Sequence, residues 1–116
     1  MKYEEYEIKD NSFEYLDKKY NCSHAIKRDI KLIIQEAETS HKDEFDELYN
    51  RDSLTPQKVR LFLDDRQEPI YGMIIYTIEY KNQNVKRTAC GNYYPVSNWL
   101  DNLKLLPHPY QGSICW

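Results

Sequence analysis

The spacing of apolar positions changes along this chain and divides it into segments of different predicted structure. Between residues 24 and 50 the apolar positions recur every three or four residues. Ile26, Ile30, Ile33, Ile34 and Ala37 form a stripe, with His41, Phe45 and Leu48 in phase. This spacing predicts an amphipathic helix. Ser40 with Asp43 resembles a capping box, so the stretch reads either as one helix or as two divided near Thr39–Ser40; a continuous or kinked helix is favoured. Between residues 69 and 90 the period is two. Ile74, Tyr76, Ile78 and Tyr80 fall on one face, and Ile75, Thr77 and Glu79 on the other. The polar run Lys81-Asn82-Gln83-Asn84 then leads into Val85, Lys86 and Arg87, which predicts a long β-hairpin.

The remaining segments are shorter. Val59, Leu61 and Leu63 alternate as a strand does, although Val59, Phe62 and Leu63 also suit a helix begun at Pro56. The strand reading is taken for 58–64, because Asp64 to Pro69 then forms a polar turn into the hairpin. Residues 1–11 read as a strand or an arm. Ser12 is placed to cap a short helix carrying Phe13, Leu16 and Tyr20 on one face. Gly91 and Pro95 end the sheet, and Val96, Trp99, Leu100 and Leu103 predict a last amphipathic helix. The expected fold is α+β: N-terminal helices, a three-stranded antiparallel meander, and a C-terminal helix packed on one sheet face. At 116 residues the chain is expected to be a single domain, 1–116.

Composition narrows the function classes. No apolar run approaches the ~20 residues of a membrane-spanning helix, and the charged start MKYEEYEIKD does not resemble a signal peptide. A cytoplasmic location without membrane association is expected. Cys22, Cys90 and Cys115 are odd in number and isolated, which fits a reducing compartment. The abundance of Lys, Asn, Ile and Tyr suggests an AT-rich coding genome, as in some bacteria, phages and mobile elements. Charge is unevenly divided: residues 1–68 carry 17 acids and 12 bases, residues 69–116 carry 2 acids and 4 bases. Such asymmetry steers encounters with a partner, while an acidic chain is poorly suited to sequence-independent nucleic-acid binding.

Chemistry-bearing motifs are sparse. Cys22-Ser23-His24 places a thiol near an imidazole, but a catalytic pair is defined by spatial geometry and an orienting third group. His41 lies in phase with the helical stripe and reads as structural. Asp64-Asp65 offers hard oxygens that suit Mg²⁺, yet beside Arg66 to Pro69 the pair reads as a turn. No catalytic residue, metal site or cofactor is assigned, and the chain is not read as an enzyme.

Tyrosine carries the functional reading. Eleven Tyr against three Phe supply rings with an apolar body and a hydroxyl that needs a partner. Tyr71, Tyr76, Tyr80, Tyr93 and Tyr94, with the cations Lys81, Lys86 and Arg87, are expected to form a partner-binding surface on the sheet. Asp43, Glu44, Asp46 and Glu47 offer a second, acidic surface on the helix. The expected function is a small protein-interaction module acting as a regulator or inhibitor of a protein partner. The alternative is a nucleic-acid-binding module of α-βββ-α topology, as in double-stranded-RNA-binding domains.

Overall fold

The computed structural model describes residues 2–95. The chain runs β1 (Tyr3–Glu7), β2 (Ser12–Tyr15), β3 (Lys18–Asn21), α1 (Ser23–Leu48), β4 (Tyr49–Leu63), β5 (Pro69–Tyr80) and β6 (Lys86–Pro95). Four strands form one antiparallel sheet in the order β1-β4-β5-β6, and β2 and β3 form a separate two-stranded sheet.

This overturns the α+β expectation of N-terminal helices, a three-stranded meander and a C-terminal helix. The described residues are mostly sheet and contain one helix. Residues 12–20 form a hairpin because Phe13 and Tyr20, the anchors of the expected short helix, oppose each other across β2 and β3. Their rings stack 5.5 Å apart, and both are buried. Leu16, expected on the same helical face, sits at the hairpin turn and is 81% exposed. The meander is widened by β1, whose Tyr6 lies opposite Val59. The expected C-terminal helix through Val96, Trp99, Leu100 and Leu103 lies outside the described residues.

The long helix is continuous across Ser40, as the apolar stripe favoured. Ile26, Ile33, Ala37 and Phe45 share one buried cluster with Val59, Leu61, Ile74, Tyr76 and Ile78. The period-3.6 face of α1 therefore covers one period-two face of the sheet. Strand β4 is real but longer than expected, and its register against β5 shifts in three places. One shift lies between Pro56 and Lys58, where a residue without an N–H can be absorbed. Asp64 and Asp65 stand in the β4–β5 turn as expected. Asp64 Oδ1 accepts from the backbone N–H of Arg66 at 2.8 Å and of Glu68 at 3.0 Å.

One irregularity in β6 decides which tyrosines meet the helix. Met73 pairs with Tyr93 and Ile75 with Cys90, so three steps along β6 match two along β5. Gly91 and Asn92 thus occupy the space of one residue, a β-bulge. Before it, Ala89 faces α1 opposite Tyr76; after it, Tyr94 faces α1 opposite Gly72. Without the extra residue Tyr93 would take the inner position.

Candidate partner-binding site

The tyrosines that the sequence groups together fall into three environments. Tyr76 and Tyr94 are buried at 0% exposure, so their expected place on a partner surface is corrected. Both hydroxyls donate to the buried Asp29 carboxylate of α1, Tyr76 to Oδ2 at 2.8 Å and Tyr94 to Oδ1 at 2.7 Å. Asn92 adds its backbone N–H at 3.2 Å and its side-chain amide at 2.9 Å, both to Oδ1. Burial raises the Asp29 pKa above the ordinary carboxylate value, and these four donors partly oppose the rise. Gly91 is required at the bulge: a Cβ there would stand 2.4 Å from Asp29 Oδ2. The group is enclosed, and it fastens the helix to the bulged strand. Its sequence signal was an acid inside the apolar stripe, three residues after Ile26 and one before Ile30.

Neighbouring Cys22 shares this interior. Burial, then the charge of Asp29, pushes its thiol up to about 12, so the sulfur stays protonated and is not a nucleophile at neutral pH. Among the described residues, no group of three or more His, Cys, Asp or Glu is placed to hold a metal ion.

A second environment lies on the sheet face turned away from α1. Tyr71 stands opposite Phe62 there, and Phe62 stands opposite Tyr3. The Phe62 ring is 5.9 Å from Tyr3 and 5.6 Å from Tyr93. Two cations of this face are engaged: Lys58 and Arg60 meet Glu5 at 3.1 and 3.0 Å. Arg60 also lies 4.2 Å above the Tyr3 ring.

The third environment brings together the end of α1, the start of β4 and the base of the long hairpin. Tyr49, the first residue of β4, pairs with Tyr80, the last of β5. Their rings are 4.7 Å apart and inclined at 35°. Arg87, near the start of β6, donates from one nitrogen to the Tyr80 hydroxyl at 3.2 Å and the Tyr49 hydroxyl at 3.4 Å. Tyr49 is buried and rests on buried Phe45, with centroids 5.8 Å apart; Tyr80 is half-buried. A hydrogen bond from Tyr49, with Arg87 beside it, holds the Tyr80 phenol below its ordinary pKa. Tyr49 moves the other way, chiefly because it is buried. The backbone closes the corner: Lys81 N–H donates to Leu48 O at 2.8 Å, and Tyr80 N–H to Val85 O at 3.0 Å. The side chains of Lys81 and Lys86 are exposed beside it. A polar recess over this corner is lined by Asn50, Glu79, Tyr80 and the turn residues Lys81 to Asn84.

The expected acidic row is only partly a surface. Asp46 is bound by Arg51 at 2.9 Å, and Arg51 also holds Glu38 at 2.6 Å, tying the helix end to β4. Glu47 is exposed, while Asp43 and Glu44 lie outside the described side chains. No protein family, curated protein or solved structure matches this chain. Among the described residues, no helix is long and apolar enough to cross a membrane.

Proposed function

We propose that this protein is a protein-interaction module whose anchor is Tyr80, presented with Lys81 and Arg87 at the base of the long hairpin. The observation that carries this reading is the packing of the Tyr80 ring against Tyr49 with Arg87 bridging both hydroxyls. A half-buried ring held from below and at its polar tip loses little freedom when a partner covers it. Tyr and Arg anchors of this kind dominate protein interfaces. The engagement of Lys58 and Arg60 by Glu5 supports a protein partner over nucleic acid, since it removes two cations from phosphate contact.

Affinity capture from the native host followed by titration with the captured protein tests the reading. Tyr80→Ala, folded by circular dichroism, is expected to weaken binding at least about tenfold, roughly 1.4 kcal/mol. Cys22→Ala is expected to leave affinity unchanged. Binding that survives Tyr80→Ala, or retention on heparin with a steep salt dependence, overturns the proposal.

A further inference from the structure

The sheet has a second apolar surface that the helix does not account for. Ile74, Tyr76 and Ile78 point to α1, so Met73 and Ile75, one step out of phase, lie on the opposite face of β5. Met73 stands there between Arg60 and Tyr93, and Ile75 between Lys58 and Cys90. Met73 is nevertheless only 4% exposed and Ile75 only 3%. The buried cluster under α1 contains neither of them. The β2–β3 hairpin lies on the α1 side as well, since Phe13 and Tyr20 belong to that cluster. An antiparallel sheet face that meets water carries polar residues. This one holds Phe62, Tyr71 and Tyr93 around Met73 and Ile75, and its middle is dry.

Topology and sequence both point to what covers it. Strand β6 ends at Pro95, opposite Tyr71, at the aromatic end of the same face. The chain continues from there through residues 96–116, which hold Val96, Trp99, Leu100, Leu103, Leu105 and Leu106 against the charged pair Asp101 and Lys104. Four strands span about 14 Å at ~4.8 Å between neighbours, a width that a segment of this length crosses in any backbone conformation. So little charge suits a face whose Lys58 and Arg60 are already paired with Glu5. Tethering favours this segment over a second copy or a foreign partner. It starts at the edge of the face, so its effective concentration is high and no association entropy is lost. Met73 and Ile75 are also buried in the single chain, before any partner is added.

We propose that residues 96–116 of the same chain cover the sheet face turned away from α1, their apolar side chains set over Met73, Ile75, Phe62 and Tyr93. Tyr71 and Tyr93 then serve an internal contact and not a partner surface. The proposal is independent of the Tyr80 site and uses different variants.

Both tryptophans of the protein, Trp99 and Trp116, fall in this segment, so its cover can be read by fluorescence in the full chain. With Trp116→Phe, Trp99 is the sole tryptophan. Acrylamide is expected to quench it several-fold more slowly in the folded chain than in urea, equally at low and high protein concentration. Ile75→Thr with Tyr93→Thr keeps residues suited to strands but removes apolar surface, and should bring quenching close to the unfolded rate. Leu100→Asp with Leu103→Asp should do the same and lower the thermal midpoint by several degrees, with the sheet signal in circular dichroism retained. Quenching as fast in the folded chain as in urea overturns the proposal. So does shielding that fades on dilution, which assigns the face to a second copy, or shielding that survives the Ile75 and Tyr93 changes. If that double variant does not fold, the leucine variant decides: an unchanged midpoint shows that the segment is not packed on the sheet.

Discussion

Two pairs of tyrosines in this protein are organised around opposite charges. Tyr76 and Tyr94 donate their hydroxyls to the Asp29 carboxylate at 0% exposure, while Tyr49 and Tyr80 accept from the Arg87 guanidinium at the end of the sheet. Burial first, and then the Asp29 charge beside them, drives the phenols of Tyr76 and Tyr94 upward, so they remain donors. The hydrogen bond from Tyr49, followed by the Arg87 cation, lowers Tyr80. The same residue type is thus consumed by the fold at one place and, in Tyr80 alone, left within reach of a partner at the other. What separates the two pairs is the sign of the central charge, and what separates Tyr80 from the other three is its exposure.

The comparison breaks if removing the buried centre is tolerated. Asp29→Ala leaves three buried donor side chains and one backbone N–H without their acceptor and is expected to cost about 3–5 kcal/mol. Chemical denaturation measures this, and a loss below about 1 kcal/mol would show that the network is incidental. Tyr94→Phe removes one hydrogen bond to a charged group and should cost about 1.5–3 kcal/mol. The matching Tyr80→Phe change should shift the unfolding midpoint much less, because water can replace its bond. Equal shifts for the two would erase the distinction between the clusters.

Gly91→Ala sharpens it from the backbone side. The added Cβ would press on Asp29, and overpacking of this kind costs about 1–3 kcal/mol. Pairing it with Asp29→Ala should give less than the sum of the two single losses, since the two closest contacts disappear with the carboxylate and only the Ile74 carbonyl oxygen at 3.1 Å remains. Full additivity would place the damage elsewhere in the bulge.

The smallest expected effect is on pH dependence. Burial raises the native pKa of Asp29 above its ordinary value of 3.8. Between the two values the folded chain holds a proton that the unfolded chain has lost. The Asp29 contribution is therefore most favourable below about pH 3.8 and declines as pH rises through the native value. One proton limits the slope to about 1.4 kcal/mol per pH unit. Stability measured against pH in the unmodified chain and in Asp29→Asn should differ by such a falling curve. A difference that rises with pH would mean the four donors outweigh desolvation.

Several elements were legible in the sequence because their signals are local. The helical stripe from Ile26 to Leu48, the alternation of Val59, Leu61 and Leu63, and the Lys81–Asn84 turn each predict an element that the structure contains. The N-terminal hairpin was not legible in the same way. Phe13, Leu16 and Tyr20 fit helical spacing, but Phe13 and Tyr20 also fit opposite positions on two short strands, and no glycine marks the turn. Of the expected site, Tyr80, Lys81, Lys86 and Arg87 gather at one corner of the sheet. Tyr49, which anchors it, was missing because it read as the end of a helix and not the start of a strand.

The sequence by itself determined the periods of its longer segments, helical from Ile26 to Leu48 and alternating in β4 and β5, and that tyrosine is the residue to explain. Those follow from side-chain spacing within a few residues, which needs no distant partner. The tertiary structure decided which tyrosines serve the core. One extra residue at Gly91–Asn92 turns Tyr94 inward and Tyr93 outward, and one acid on the apolar face of α1 draws Tyr76 and Tyr94 to itself. A strand's face flips with a single step of register, and a buried charge must find donors wherever the fold brings them. Neither is a property of any short stretch of chain.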